Sequence, residues 1–207
     1  MSEIVDSFYI ENSNWENRAS ALFEYLKRMS VDEIVSEIEY SDKKTEEISP
    51  ANVSQFSNIS TADYVVQIVD DAIDNIDFAY VGYMINKSSS EAAQRKYGEN
   101  HLKLAVQMGL VSEKPYKLTP LGEIYIHLKD SEKKSLRPKL FLRIPVVQRL
   151  LIDSKIHRID GTKILMEVLS ESTAIRRRSN IKKLIEEIQG IASIEMQRQI
   201  ADNINWS

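Results

Sequence analysis

The chain has 207 residues, 43% of them hydrophobic and 28% charged, enough apolar side chain to bury a core of ordinary size in one or two domains. It contains no cysteine, which excludes a disulfide framework and a thiolate metal site and fits a reducing compartment. The start, MSEIVDSFYIENSN, lacks a basic region followed by an apolar run, and no uncharged stretch approaches the roughly 18 residues of a membrane span, so a soluble cytoplasmic protein is expected.

The formal net charge of -4 is unevenly distributed. Residues 1–60 carry 5 basic and 12 acidic side chains, residues 61–130 carry 7 and 10, and residues 131–207 carry 15 and 9, so the segments run from -7 through -3 to +6. Local fields govern encounter with a polyanion more than net charge does, which points to the C-terminal part as the face that meets one.

In chain order, Trp15, Ala19, Leu22, Phe23, Leu26 and Met29 recur at helical spacing, and Ser30 with Glu33 forms a capping-box pattern that opens a second short helix. The polar, aperiodic stretch 41–60, with Pro50, reads as a loop or linker. A helix capped by Ser60 or Thr61 follows and runs through STADYVVQIVDDAIDNI; Asp77 opens a short helix, and EAAQRKYGENHLKLAVQMG forms a third that stops at Gly109. LVSEKPYKLT then reads as a β-hairpin turning at Lys-Pro, and Thr119 with Pro120 restarts helix. Three helices, a hairpin and a further helix are the order of a winged helix-turn-helix.

The rear segment continues with helices interrupted or opened at Pro138 and Pro145. Asp160, Gly161 and Thr162 introduce a short helix, residues 170–172 turn tightly, and Thr173 caps AIRRRSNIKKLIEEIQ, which ends at Gly190. Helix, three-residue turn, helix is the spacing of a DNA-binding unit whose second helix enters the major groove. The expected architecture is therefore mainly α: an acidic helical segment and linker over 1–60, a winged helix-turn-helix with a short hairpin wing over 61–130, and a basic helical domain over 131–207.

At about 100° per residue from Thr173, Ala174, Ile181, Leu184, Ile185 and Ile188 share one arc, while Arg176, Asn180 and Lys183 gather opposite. Arginine reads guanine bidentately, asparagine reads adenine and lysine meets phosphate, so Arg176 and Asn180 are candidates for base edges and Lys183, Lys182 and Arg178 for phosphates. Arginines near a helix N-terminus oppose the dipole, which makes sense where nucleic acid supplies the missing negative charge. Arg177 falls inside the apolar arc and is expected to snorkel or to pair with Glu167 or Glu171. In the earlier helix, Ala93, Tyr97, His101, Leu104, Ala105 and Met108 form the core arc, Lys96, Asn100, Lys103 and Gln107 project elsewhere, and Gly98 marks a close approach or bend. Lys114 and Lys117 flank the hairpin tip, where a wing touches phosphate.

AAQRKYGENHLKLAVQMGLVSEKPYKLTPLG and LSESTAIRRRSNIKKLIEEI together resemble the winged-helix region of restriction-modification-associated proteins, including some type II restriction endonucleases. The matching positions are Tyr97, Gly109, Leu110, Val111, Leu118, Thr119, Leu121 and Gly122, then Ser172, Thr173, Arg176 and Arg177; Asn180 and Leu184 stand where that family has threonine and tryptophan. The resemblance covers about residues 60–190 and implies recognition of double-stranded DNA by a restriction-modification or phage-defence subunit, with a nuclease or ATPase partner. The tail residues Ile194, Ile200, Ile204 and Trp206 are expected to pack, and a homodimer would suit a palindromic site. No catalytic constellation accompanies these features: His101, His127 and His157 lack ligand spacing, and there is no phosphate loop and no nucleophile elbow. No cofactor is implied. The alternatives are a protein-interaction scaffold built on winged helices that do not bind DNA, and a nuclease with an unrecognised carboxylate site.

Overall fold

The computed structural model describes residues 15–41, 47–56, 58–72 and 76–207. The chain is mainly helical, with one small parallel sheet. Helices α1 (Trp15–Arg28) and α2 (Val31–Glu39) lead, and the expected capping box between Ser30 and Glu33 is present. Helix α3 (Thr61–Asp71) ends earlier than its sequence pattern suggests, since Ala72 is already extended; the expected continuation over 73–75 lies outside the described residues. Asp77 caps α4 (Phe78–Ile85), Ser90 caps α5 (Glu91–Gln107), and Gly109, at φ +76°, turns the chain out of α5 as a glycine past a helix end should. Thr119 and Pro120 open α6 (Pro120–Ile126).

The rear holds α7 (Asp130–Leu140), α8 (Pro145–Ile156), α9 (Gly161–Met166), α10 (Glu171–Gln189) and α11 (Ile194–Asn203). The helix expected over 145–159 stops sooner: α8 ends at Ile156, and Ile159–Asp160 forms strand β1, paired in parallel with β2 (Ile204–Asn205). The tail folds back on its own chain. Ile200 and Ile204 are buried and the Trp206 ring covers Gly161, where a Cβ would come within 2.6 Å of it, but Ile194 stands 69% exposed and so does not pack as expected.

The hydrophobic core is a single cluster that extends from Ala19 to Ile204. Within it α4 and α5 cross at the closest approach, because two glycines face each other's backbone: a Cβ on Gly98 would lie 1.9 Å from the Phe78 carbonyl oxygen. His101, on the same helix, is fully buried, with Nδ1 2.8 Å from the Tyr97 carbonyl; burial lowers its pKa, so the ring is held neutral. Tyr97 departs from the expected core arc and is 37% exposed.

A polar knot joins four helices beside this core. Arg137 of α7 reaches Asp63 of α3 at 2.7 Å and Glu187 of α10 at 2.9 Å, and Tyr125 of α6 donates to the second Asp63 oxygen at 2.6 Å. Burial, and after it the Asp63 charge, raises the Tyr125 phenol well above its ordinary value and keeps it a donor. Other rear cations are turned inward as well. Lys139 donates to the carbonyls of Leu26 and Met29 at 2.6 and 2.7 Å, closing the end of α1, and Lys155 pairs with Glu39 at 2.6 Å. Part of the charge asymmetry along the sequence is thus matched within the fold.

Removing one partner of a buried ion cluster costs about 3–5 kcal/mol, and the half-exposed carboxylates place this cluster at the lower end. Arg137→Ala is expected to lower unfolding stability by about 3 kcal/mol in urea titration, while Arg198→Ala, on the exposed face of α11, stays within about 0.5 kcal/mol.

Candidate nucleic-acid interface

Helix α10 begins at Glu171 with Ser170 as its N-cap residue, so the expectation that Thr173 caps it is corrected. Thr173 lies inside the first turn, where its hydroxyl oxygen accepts from Ser170 Oγ at 2.9 Å. The dipole penalty is smaller for the same reason. Glu171 meets the positive helix end, and Arg176, Arg177 and Arg178 stand in the second turn, where the terminal field has largely faded. The core arc is as expected: Ala174, Ile181, Leu184, Ile185 and Ile188 are all buried.

The polar side of α10 divides into exposed and engaged residues. Arg176 is exposed, and no acid among the described residues pairs with it. Arg177 does not turn to Glu167 or Glu171; it donates to the carbonyls of Val53 at 2.7 Å and Pro50 at 3.4 Å. Arg178, expected at phosphate, donates to the Trp206 carbonyl at 3.3 Å. Asn180 is 6% exposed and its amide donates to the Phe56 carbonyl, so it cannot meet an adenine edge and is withdrawn from the contact set. Lys182 and Lys183 are exposed, Lys182 with Glu186 at 3.9 Å.

The departures of Arg177 and Asn180 are caused by the segment 47–56. Of the loop-or-linker expectation for 41–60, the loop holds over these described residues, but it is packed: Val53, Ser54 and Phe56 are buried, and Pro50–Asn52 forms a single 3-10 turn that Asn52 ties back to Ser49. This strap runs between α5 and α10. On one side Gln107 donates to the Ala51 carbonyl at 2.6 Å and accepts from the Ser54 hydroxyl; on the other stand Arg177 and Asn180. Its backbone carbonyls are accepted into the fold by side chains rather than by sheet or helix.

On α5, Lys96 and Lys103 both reach Glu99, each at 2.7 Å, while Asn100 is half-buried. Those two hydrogen bonds, that from Lys103 first, hold the Glu99 carboxyl at about 2. The hairpin after α5 is shorter than expected. It has a single antiparallel bridge, Val111 to Leu118, with Ser112 N–H on the Lys117 carbonyl at 2.8 Å and Ser112 Oγ on the Pro115 carbonyl at 2.8 Å. Lys114 and Lys117 are exposed at its tip, and Tyr116 packs on Phe78 with ring centroids 5.7 Å apart.

Three of these pieces lie in one electrostatic neighbourhood: Arg177 feels the charges of Arg176 and Glu99, and Tyr116 feels those of Lys103 and Glu99. Lys96, Lys103, the hairpin tip and the start of α10 are therefore brought together, whereas Asn180 and Arg178 are not part of the open face. Glu99 is absent from the sequence-derived set, although its spacing of three from Lys96 and four from Lys103 is a legible signal of a bracketed acid. Among the described residues no group of three or more His, Asp or Glu side chains could hold a metal ion, and no helix is long and apolar enough to cross a membrane. Comparison with models of protein families, with curated proteins and with solved structures finds no match to this chain.

Asn180 and Arg176 are expected to respond oppositely to removal. Asn180→Ala leaves a buried carbonyl unsatisfied and should cost about 1–3 kcal/mol in denaturant unfolding, while Arg176→Ala should leave stability within about 0.5 kcal/mol.

Proposed function

We propose that this chain binds double-stranded DNA sequence-specifically, as the recognition subunit or fragment of a restriction-modification or phage-defence system. The observation that carries the reading is Arg176: an exposed guanidinium with no acid partner among the described residues, on a helix that the strap holds alongside α5. An unpaired guanidinium presents a rigid fork of donors suited to guanine or phosphate. The helix order α3, α4, α5, hairpin, α6 supports a winged helix-turn-helix in which α5 enters the major groove and the short hairpin is the wing. Lys96 and Lys103 then flank the groove, and Lys114 and Lys117 track the neighbouring backbone.

A second reading, a protein-interaction scaffold, is favoured by the cations already engaged inside the fold: Arg137, Lys139 and Lys155 all have partners. The two readings differ in salt dependence. Four lysine–phosphate contacts give a slope of log affinity against log salt of about -3.6. Duplex binding measured from about 50 to about 200 mM salt should follow that slope, and Lys117→Ala should reduce it by about one. Arg176→Ala should cost about 1–3 kcal/mol at the preferred site and relax the preference there. Affinity weaker than roughly 10⁻⁴ M for every duplex at low salt would favour the scaffold.

A further inference from the structure

The polar stripe of α5 has an acid at its centre. At about 100° per residue, Arg95, Ala92, Lys103 and Lys96 all project within roughly 60° of Glu99, while the buried Gly98, His101 and Ala105 point roughly 100–160° away. The exposed side of the helix thus carries three cations around one carboxylate. Each carboxylate oxygen is held by a lysine, Oε2 by Lys96 and Oε1 by Lys103, both at 2.7 Å. The Lys96 and Lys103 side chains remain 57% and 44% exposed and that of Glu99 25%, so the bracket lies at the surface with room on its outer side.

A carboxylate has about four acceptor sites, of which the lysines occupy two. Phosphate repels it, so in a groove it is directed to base edges, where the major groove offers only two kinds of donor, cytosine N4 and adenine N6. Glutamate is suited to cytosine, since it accepts without needing to donate to the adjacent purine-type acceptor that adenine presents. The flanking lysines answer the remaining objection to an acid near DNA. They surround it with positive charge, and their remaining donors are directed outward, where phosphates would lie. Ala92, two turns toward the N-terminus on the same stripe, adds no bulk that would hold the helix out of the groove.

We propose that Glu99 is the specificity-determining residue of α5, accepting a hydrogen bond from the exocyclic amino group of cytosine while Lys96 and Lys103 meet the phosphates on either side. The proposal rests on the duplex-binding reading given above. It differs from a purely local role, in which the bracket only braces the helix, in what it demands of base preference.

Selection from a pool of random duplexes, carried out with the unmodified chain, Glu99→Gln and Lys96→Ala, tests it. The unmodified chain should enrich cytosine at one position of the site. Glu99→Gln, whose amide both donates and accepts, should lose that cytosine preference by roughly 5- to 150-fold, the span of one good base contact, and gain adenine there. Lys96→Ala should weaken all duplexes about equally, keep the cytosine, and lower the salt slope by about one. Thermal melting followed by circular dichroism should stay cooperative for both chains, with Glu99→Gln lower by only a few degrees for the loss of its two surface lysine pairs. A Glu99→Gln chain that selects the same site with the same strength overturns the proposal, as does one that binds every duplex more tightly with its preference unchanged. In either case binding by the unmodified chain still upholds the duplex reading, whereas an unmodified chain that captures no duplex overturns both.

Discussion

Taking a guanidinium out of water costs several kcal/mol unless acids and donors replace the solvent, and Arg137 is left only 9% exposed. Two carboxylates from distant parts of the chain supply that replacement, and each benefits in turn. Asp63 stands in the first turn of α3, where the helix dipole already favours an anion, while Glu187 stands in the last turn of α10, where the dipole opposes one and no basic residue stands in that turn. Arg137 relieves it from α7. Helix α10 therefore cannot slide along α7 or away from α3 without stranding a charge, and this fixes where its arginines emerge.

The second constraint is the strap. Its buried Val53 and Phe56 hold it down with apolar area worth roughly 1.5–3 kcal/mol for each side chain, so it is a permanent part of the structure rather than a cover that lifts. A strand-less segment at that depth presents carbonyls that need donors, and Arg177, Asn180 and Gln107 provide them. Three side chains with groove-reading chemistry are consumed in this way. The strap also holds α5 and α10 side by side, which is why the exposed residues of both helices share one field.

Elements whose evidence is local were legible in the sequence. The Ser30–Glu33 box, the Thr119–Pro120 start and the Gly109 stop each rest on a few adjacent residues, and the apolar arc of α10 rests on its own period. The start of α10 was not, because Ser170, Ser172 and Thr173 are all good capping residues and composition cannot choose among them. Asn180 was misread for a different reason: it lies opposite the core of its own helix, and what buries it comes from 124 positions away, where no periodic pattern announces a contact. Strands β1 and β2, two residues each and far apart in the chain, carry too little alternation to be seen. Of the candidate site, Arg176 and the α5 and hairpin lysines keep their expected exposure, while Glu99 does not stand out in the sequence because an acid spaced three and four from lysines reads as helix bracing.

These constraints also bear on how such a surface would discriminate. With Arg137, Lys139 and Lys155 engaged internally, and Arg177 and Arg178 bonded to carbonyls, part of the excess positive charge of the rear segment is absent from the open face. Fewer cations than the sequence carries remain to meet phosphates, and the chain as a whole is net negative. Nonspecific attraction grows with each phosphate neutralised, so a duplex-binding surface built in this way would hold random duplex weakly. Base contacts then supply a larger share of the affinity for a correct site, and the ratio of specific to nonspecific binding, which governs recognition among many competing sites, rises because the nonspecific contribution is small. On the proposed reading, an acid within the α5 stripe would act in the same direction: it would subtract from general attraction to phosphate and contribute only where a base offers it a donor.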